Sequence, residues 1–434
     1  MSPELLGLLG IVVLIILLFC RMWIGFAMAF VGLIGLIFLY GFDKGVIPLA
    51  TIPFNRVSFY PISALPLFVL MGVVVGAAGL SGDLYHSAYK WLGRLPGGLA
   101  ISTVFAAGGF AAITGSSTAT AVTMGKVALP EMAKYKYDPK LAAGTVAAGG
   151  TLGILIPPSL GFILYAILTE QSVGRLFMAG IIPGILEMLF YTALILIMCL
   201  INPNMGPRGP KVAFKEKISS LKNIWPVMLL FLLVIGGIYG GIFTPTEAGA
   251  IGAFGAMVIV LAMRRLNFRG IFNTTMEAVE ITGMILLLMV GAFIFANFLA
   301  VSKLPFVLAD LVISVSVHPY IVLTAIIILY IILGMFLDIF SSILLTIPIL
   351  YPVVIAMGFD PIWFGVIMVR IMEIGLITPP IGMNVFVMAS VTDIPLGTIF
   401  RGIVPFVFAD FLHVALLVAV PQISLFLPNT MFGR

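Results

Sequence analysis

The chain has 434 residues, 62% of them hydrophobic and only 9% charged, with a mean hydropathy of +1.24. A soluble domain usually carries about 25% charged residues, so this composition excludes a water-soluble globule. The formal net charge of +5 is spread over short loops between apolar runs, where it reports membrane orientation and not a nucleic-acid surface.

Segments that cross lipid must satisfy their backbone internally, so the apolar runs are helices and the fold class is an all-α polytopic membrane protein. The first run, 5–20, has no basic start and no small-residue cleavage site, which makes it a membrane helix and not a signal peptide. Helices near 22–40 and 63–80 follow, then an amphipathic arm at 82–95. Basic residues cluster at Arg21; Lys90 and Arg94; Lys134, Lys136 and Lys140; Arg208 to Lys222; Arg264, Arg265 and Arg269; and Arg401. Placing these in the cytoplasm leaves only Lys44, Arg56, Arg175, Lys303 and Arg434 outside.

That assignment makes residues 97–134 begin and end on one side. The stretch "ISTVFAAGGFAAITGSSTATAVTMGKVALPEMA" is therefore expected as a re-entrant hairpin with its tip at Thr114-Gly115-Ser116-Ser117-Thr118. A broken helix at 139–168 and a helix at 176–200 complete the first half, and 203–223, rich in Pro, Gly and mixed charge, is the linker. Helices near 225–243, 245–263 and 281–300 open the second half, with 264–278 as its arm.

The halves repeat. At an offset of 222, Pro130 falls on Pro352, Asp138-Pro139 on Asp360-Pro361, Gly153 on Gly375, Pro157-Pro158 on Pro379-Pro380, and Gly180 and Pro183 on Gly402 and Pro405. The matches are residues that set backbone shape, not interchangeable apolar letters, and they indicate duplication. The same offset gives a second hairpin with its tip at Asp338-Ile339-Phe340-Ser341-Ser342. Its ends lie outside when the topology is followed through, so the two repeats are inverted, as in secondary transporters.

A helix broken within the membrane leaves carbonyls and N–H groups that protein, water or an ion must satisfy. Gly149 to Gly153 before Pro157-Pro158, and Gly375 to Thr378 before Pro379-Pro380, free carbonyls that a hairpin tip's hydroxyls can join in an oxygen cage for Na⁺. The half-helix N-termini favour an anion. The bland reading is that Ser and Thr bond back to the helix and Gly only lets helices approach; clustering at both tips argues against it. Asp338 sits at membrane depth, where an acid is costly, although capping the following half-helix is a competing role. Arg370 precedes the second break and is placed to meet a solute carboxylate, with Glu373 three residues on as an internal partner.

Other chemistries find no support. Gly125-Lys126 is followed by Val127 and lacks the preceding glycine of a P-loop, and His86, His318 and His413 are scattered. Cys20 and Cys199 form no metal or redox motif. No enzymatic activity and no cofactor are expected.

The motifs "GIYGGIFTPTEAGAIGA", "TGSSTATAVTMGKVALPEM", "GILIPPS", "GLITPPIGMNVFV" and "FLDIFSSILLTIPILYPV" occur in one order along nearly the whole chain. In this the chain resembles the large membrane subunit of tripartite ATP-independent periplasmic (TRAP) transporters. The resemblance implies an elevator-type architecture like that of the ion transporter superfamily, in the bacterial inner membrane. It further implies Na⁺-driven uptake of a carboxylate-bearing solute: a C4-dicarboxylate, a sialic acid or another sugar acid. The partners implied are a periplasmic solute-binding protein and a small four-helix membrane subunit, expected as a separate chain because this one opens directly on its first helix. In those terms, 1–95 are scaffold helices and arm of repeat one, and 96–200 its mobile hairpin, broken helix and following helix. The linker is 201–224; 225–318 are scaffold and arm of repeat two, and 319–430 its mobile part. The implied Na⁺ ligands are Ser116, Ser117, Thr118, Gly150 and Gly153 in one half and Asp338, Ser342, Gly375 and Thr378 in the other; Ser117, Ser159, Ser341, Arg370 and Asn384 would contact the solute. A carrier or antiporter that needs no binding protein, and an ion channel, remain as alternatives.

Overall fold

The computed structural model describes residues 2–314 and 318–432; Arg434, expected on the outer side, lies outside them. Among the described residues all regular structure is helical, and nine helices are long and apolar enough to cross a membrane.

The repeat governs where helices start. Ser117–Lys134 has its counterpart in Ile339–Ala356 and Pro139–Leu155 in Pro361–Ile377, both at the 222-residue offset, and Ile24–Tyr40 matches Pro245–Ala262 to within one residue. The starts coincide because the caps do. Asp138 Oδ1 accepts from Lys140 N at 2.7 Å, and Asp360 Oδ1 accepts from Ile362 N at 2.8 Å and Trp363 N at 3.0 Å. Each is followed by proline at the first helical position, where a missing N–H costs nothing.

Both hairpins close on themselves. Tyr137, just past the first hairpin (Gly98–Thr114 and Ser117–Lys134), accepts from Leu99 N at 3.0 Å and donates to Pro207 O at 2.9 Å. Burial pushes this hydroxyl up to about 12, so it stays a donor. The linker seals the same end, Gly97 N donating to Gly206 O and Asp138 N to Met205 O. At the base of the second hairpin (Pro319–Phe336 and Ile339–Ala356), Tyr320 and Phe359 meet edge to face at 5.7 Å.

The two bases lie at opposite ends. The helix Leu396–Ala419 approaches the base of the first hairpin through Gly402, beside Lys140; a Cβ on Gly144 would come within 2.5 Å of the Gly402 carbonyl carbon. At the other end Tyr165 donates to Pro361 O at 2.7 Å and Gln171 to Tyr351 at 3.1 Å. The repeats are thus inverted. The first broken helix packs closely on Leu396–Ala419 of the second half, whereas the second broken helix touches Val173–Ile201 no more closely than it touches Leu396–Ala419.

Two stretches differ from the sequence reading. The expected second arm, 264–278, runs instead into a continuous helix, Phe268–Ser302, which contains no proline. Its first-half counterpart is interrupted between Ile47–Val57 and Tyr60–Ala77, where Pro53 and Pro61 fall. The counterpart of the first arm, Leu80–Leu92, is Leu304–Ser314. Helix also begins earlier than expected after the linker, at Phe214.

Candidate functional site

The first tip turns at Gly115, whose φ of +59° is left-handed and whose Cβ would lie 2.6 Å from Pro158 O, so only glycine fits. Ser116 then caps the second arm, accepting from Ala119 N at 3.4 Å. The tip lies directly on the first broken helix. A Cβ on Gly153 would be 2.5 Å from Ser116 O, and one on Gly150 would be 3.3 Å from Ser117 O. The structure therefore brings Ser116, Ser117, Gly150 and Gly153 together. Thr118 Oγ1 is 3.5 Å from Ser116 Oγ, and both residues line a cavity of about 420 Å³.

That cavity separates the first tip from the helix Ala64–Ala77 and the long helix Phe268–Ser302, and Phe340 of the second tip reaches it. Its polar lining is Thr114, Ser116, Thr118, Thr123 and Glu277, and no lining residue is cationic.

The second tip is built differently. Asp338 Oδ2 accepts from Phe340 N at 3.1 Å and Ser341 N at 3.3 Å, so this acid does cap its half-helix. Asp338 and Ser341 line a second cavity of about 280 Å³ against Trp23 to Phe26 and Leu287-Leu288. Gly375 lies instead against Gly334, its Cβ 2.6 Å from the Gly334 Cα, and Thr378 bonds back to Ile374 O at 2.6 Å. Ser342 is buried with no partner for its hydroxyl. Gly375 and Thr378 are thus not drawn up to Asp338 as Gly150 and Gly153 are to the first tip.

Ser159 is buried and caps Leu160–Thr169, accepting from Phe162 N at 3.2 Å. Asn384 is buried with neither amide atom paired.

Arg370 is a correction to the sequence reading. It lines neither cavity described above and is fully buried, its Nη1 3.0 Å from Glu187 Oε1, its Nη2 on Asp410 Oδ1, and its Nε donating to His413 Nδ1 at 3.1 Å. Buried with two carboxylates beside it, this guanidinium is not open to a solute carboxylate. Nor is Glu373 its partner, since that carboxylate accepts from Ser117 Oγ instead. Thr151 Oγ1, from the first broken helix, lies 2.9 Å from Glu187 Oε1 and 3.0 Å from Tyr191 OH. Sequence reasoning missed Glu187, Tyr191 and Asp410, paired Glu373 with Arg370 and set His413 aside as a scattered histidine. A signal existed: Glu187 and Asp410 are single acids inside long apolar runs, the same property that exposed Asp338.

Among the described residues no group of three or more His, Cys, Asp or Glu side chains is placed to hold a metal ion. A cation at either tip would therefore be held by hydroxyls, backbone carbonyls and single carboxylates, the donors a hard ion takes.

Residues 11–423 match the family described as the DctM component of tripartite ATP-independent periplasmic transporters. The chain is 37% identical over 377 residues to the C4-dicarboxylate TRAP transporter large permease protein DctM of Pseudomonas aeruginosa, covering 87% of this chain and 88% of that one. It is 33% identical over 418 residues to the sialic acid TRAP transporter large permease protein SiaM of Vibrio cholerae, covering 96% and 97%. Its fold is similar to that of the YdaH transporter of Alcanivorax borkumensis, with a TM-score of 0.63 at 17% identity, covering 89% and 90%.

Proposed function

The chain belongs to the DctM component family of tripartite ATP-independent periplasmic transporters, multi-pass proteins of the bacterial inner membrane, and we propose that it carries out Na⁺-driven uptake of a carboxylate-bearing solute. The solute class is a C4-dicarboxylate, a sialic acid or another sugar acid. A periplasmic binding protein delivers it, and a small membrane subunit is the permanent partner, the two further components that a tripartite transporter requires.

The observation that carries this reading is the hydroxyl-lined cavity between the first tip and the scaffold helices, which offers no cationic side chain. A carboxylate there needs positive charge from elsewhere. The helix N-terminus at Ser116 supplies a partial one, and a bound Na⁺ supplies the rest. Ser116, Ser117, Thr118, Gly150 and Gly153 would hold one ion, and Asp338 and Ser342, with Gly375 and Thr378 after a small closure, the second. Ser117, Ser159, Ser341 and Asn384 are the proposed solute contacts.

The hairpins and broken helices move as one elevator body against the outer helices. The packing of Gly144 on Gly402 and the Arg370 network, which join the two halves, support such a body, as do cavities lined both by the hairpin tips and by the helices Ile24–Tyr40, Ala64–Ala77 and Phe268–Ser302.

The test is reconstitution of the chain with its small subunit and binding protein in proteoliposomes. An inward Na⁺ gradient should drive accumulation of labelled carboxylate. Uptake indifferent to Na⁺ or to the binding protein would reject the reading.

A further inference from the structure

The mechanism above uses the hydroxyls of the first tip but not the acid that touches them. Glu373 is fully buried; its Oε1 accepts from Ser117 Oγ, and its Oε2 has no hydrogen-bond partner. Its surroundings do not neutralise it. Arg370, one turn earlier on the same helix, is taken by Glu187 and Asp410. His413 accepts from Arg370 Nε through Nδ1, which makes its imidazole neutral, and Thr151 and Tyr191 bring only hydroxyls. The buried set holds three carboxylates, Glu187, Glu373 and Asp410, against one guanidinium. A carboxylate at membrane depth with an empty oxygen and no counter-charge is costly and marks a functional group.

We propose that Glu373 and Ser117 together bind Na⁺, with the ion shared between the second broken helix and the tip of the first hairpin. The donors are oxygens only, as a hard cation prefers. Gly150 and Gly153 already let the Ser116 and Ser117 backbone come close on the other side. The first tip, which has Ser116 where the second has Asp338, thus receives its negative charge from the opposite repeat. Binding of this ion also fastens the hairpin to the body behind it, so the tip is set only when Na⁺ is present. The proposal rests on the Na⁺-driven reading and adds a ligand that reading did not contain.

The experiment is Na⁺-titrated uptake by the chain with its small subunit and binding protein in proteoliposomes, paired with Na⁺-dependent thermal protection of the purified chain. Removing one ligand charge is expected to raise the Na⁺ half-saturation of Glu373→Gln by about tenfold or more, with Glu373→Asp between it and the wild type. Ser117→Ala should shift in the same direction, and thermal protection should move in parallel. A wild type that responds to Na⁺ beside a Glu373→Gln variant with unchanged half-saturation overturns the proposal alone. So does a variant whose Na⁺ response is intact but whose uptake has lost its pH dependence, because Glu373 would then carry a proton. A wild type without any Na⁺ response overturns both this proposal and the reading beneath it. Should Glu373→Gln fail to fold, Ser117→Ala decides, and an unchanged half-saturation there is fatal.

Discussion

The two breaks share a sequence pattern but not an environment. Every residue from Leu141 to Ile167 is buried, so the first break is enclosed on all sides by protein. In the second, burial ends at Ile377, and Pro379, Pro380 and Ile381 are exposed. The first broken helix packs closely on both arms of its hairpin, whereas the second packs mainly on the first arm of its own. Duplication preserved backbone breaks and caps, the features coded locally, while packing around them diverged. One half sets its tip directly on the broken helix, and the other sets an acid on the edge of a cavity.

The largest test of this contrast is aimed at what holds the halves together. Arg370→Met strands Glu187 and Asp410 without their cation, and the expected loss is about 3–5 kcal/mol, read as thermal unfolding of the purified chain. Adding Glu187→Met and Asp410→Leu should recover most of it. A stable single variant would mean that the enclosure of the first break does not depend on the network.

Next come two glycines with the same φ of +59°. Gly382→Ala meets nothing closer than 3.2 Å and should lose only the cost of a left-handed residue, about 1–2 kcal/mol. Gly115→Ala adds a clash with Pro158 O and should lose about 1–3 kcal/mol more. Equal losses in thermal unfolding would contradict the tighter first tip.

The caps give a finer distinction. Ser116→Ala and Asp338→Ala each remove an N-cap and should cost about 1 kcal/mol alike. Uptake should separate them, since only Asp338→Ala deletes a fixed charge, and its Na⁺ half-saturation should rise more. If Ser116→Ala raises it equally, the asymmetry between the tips is lost.

A further effect is expected at Tyr137→Phe, which removes two hydrogen bonds under the first hairpin, from Leu99 N and to Pro207 O, and should cost about 1–3 kcal/mol. Because burial raises this hydroxyl from its ordinary 10.0 to about 12, its contribution is whole below pH 10 and fades as pH climbs toward 12. A variant that loses stability already at neutral pH in excess of that amount would show that the linker seal matters more than these two bonds.

Much of this architecture was legible in the chain. The hairpin tips, the breaks and the repeat are written in Gly, Pro, Asp and Ser, which act through their own backbone, so nearby residues suffice to read them. The charge network was not legible in the same way. Arg370 was paired with its neighbour Glu373 by helical spacing, yet its partners arrive from two other helices, and spacing along one helix says nothing of those. The arm at 264–278 was misread for a related reason. Its arginines mark a loop, but no proline follows to stop the helix that begins at Phe268. Loop chemistry shows where chains turn, and only packing shows how far a helix continues.

The packing between the halves also bears on how the protein is made. The first broken helix, apolar yet interrupted, finds part of its covering surface in Leu396–Ala419, about 240 residues further along the chain. At typical rates of translation this leaves it waiting on the order of ten seconds or more after it leaves the ribosome. During that interval its Gly144 side faces the insertion machinery or lipid, while Gly150 and Gly153 are already covered by the first hairpin. The step that limits yield is therefore expected to be the arrival of Leu396–Ala419, and truncations just before Leu396 should be degraded as whole proteins and not persist as stable N-terminal halves.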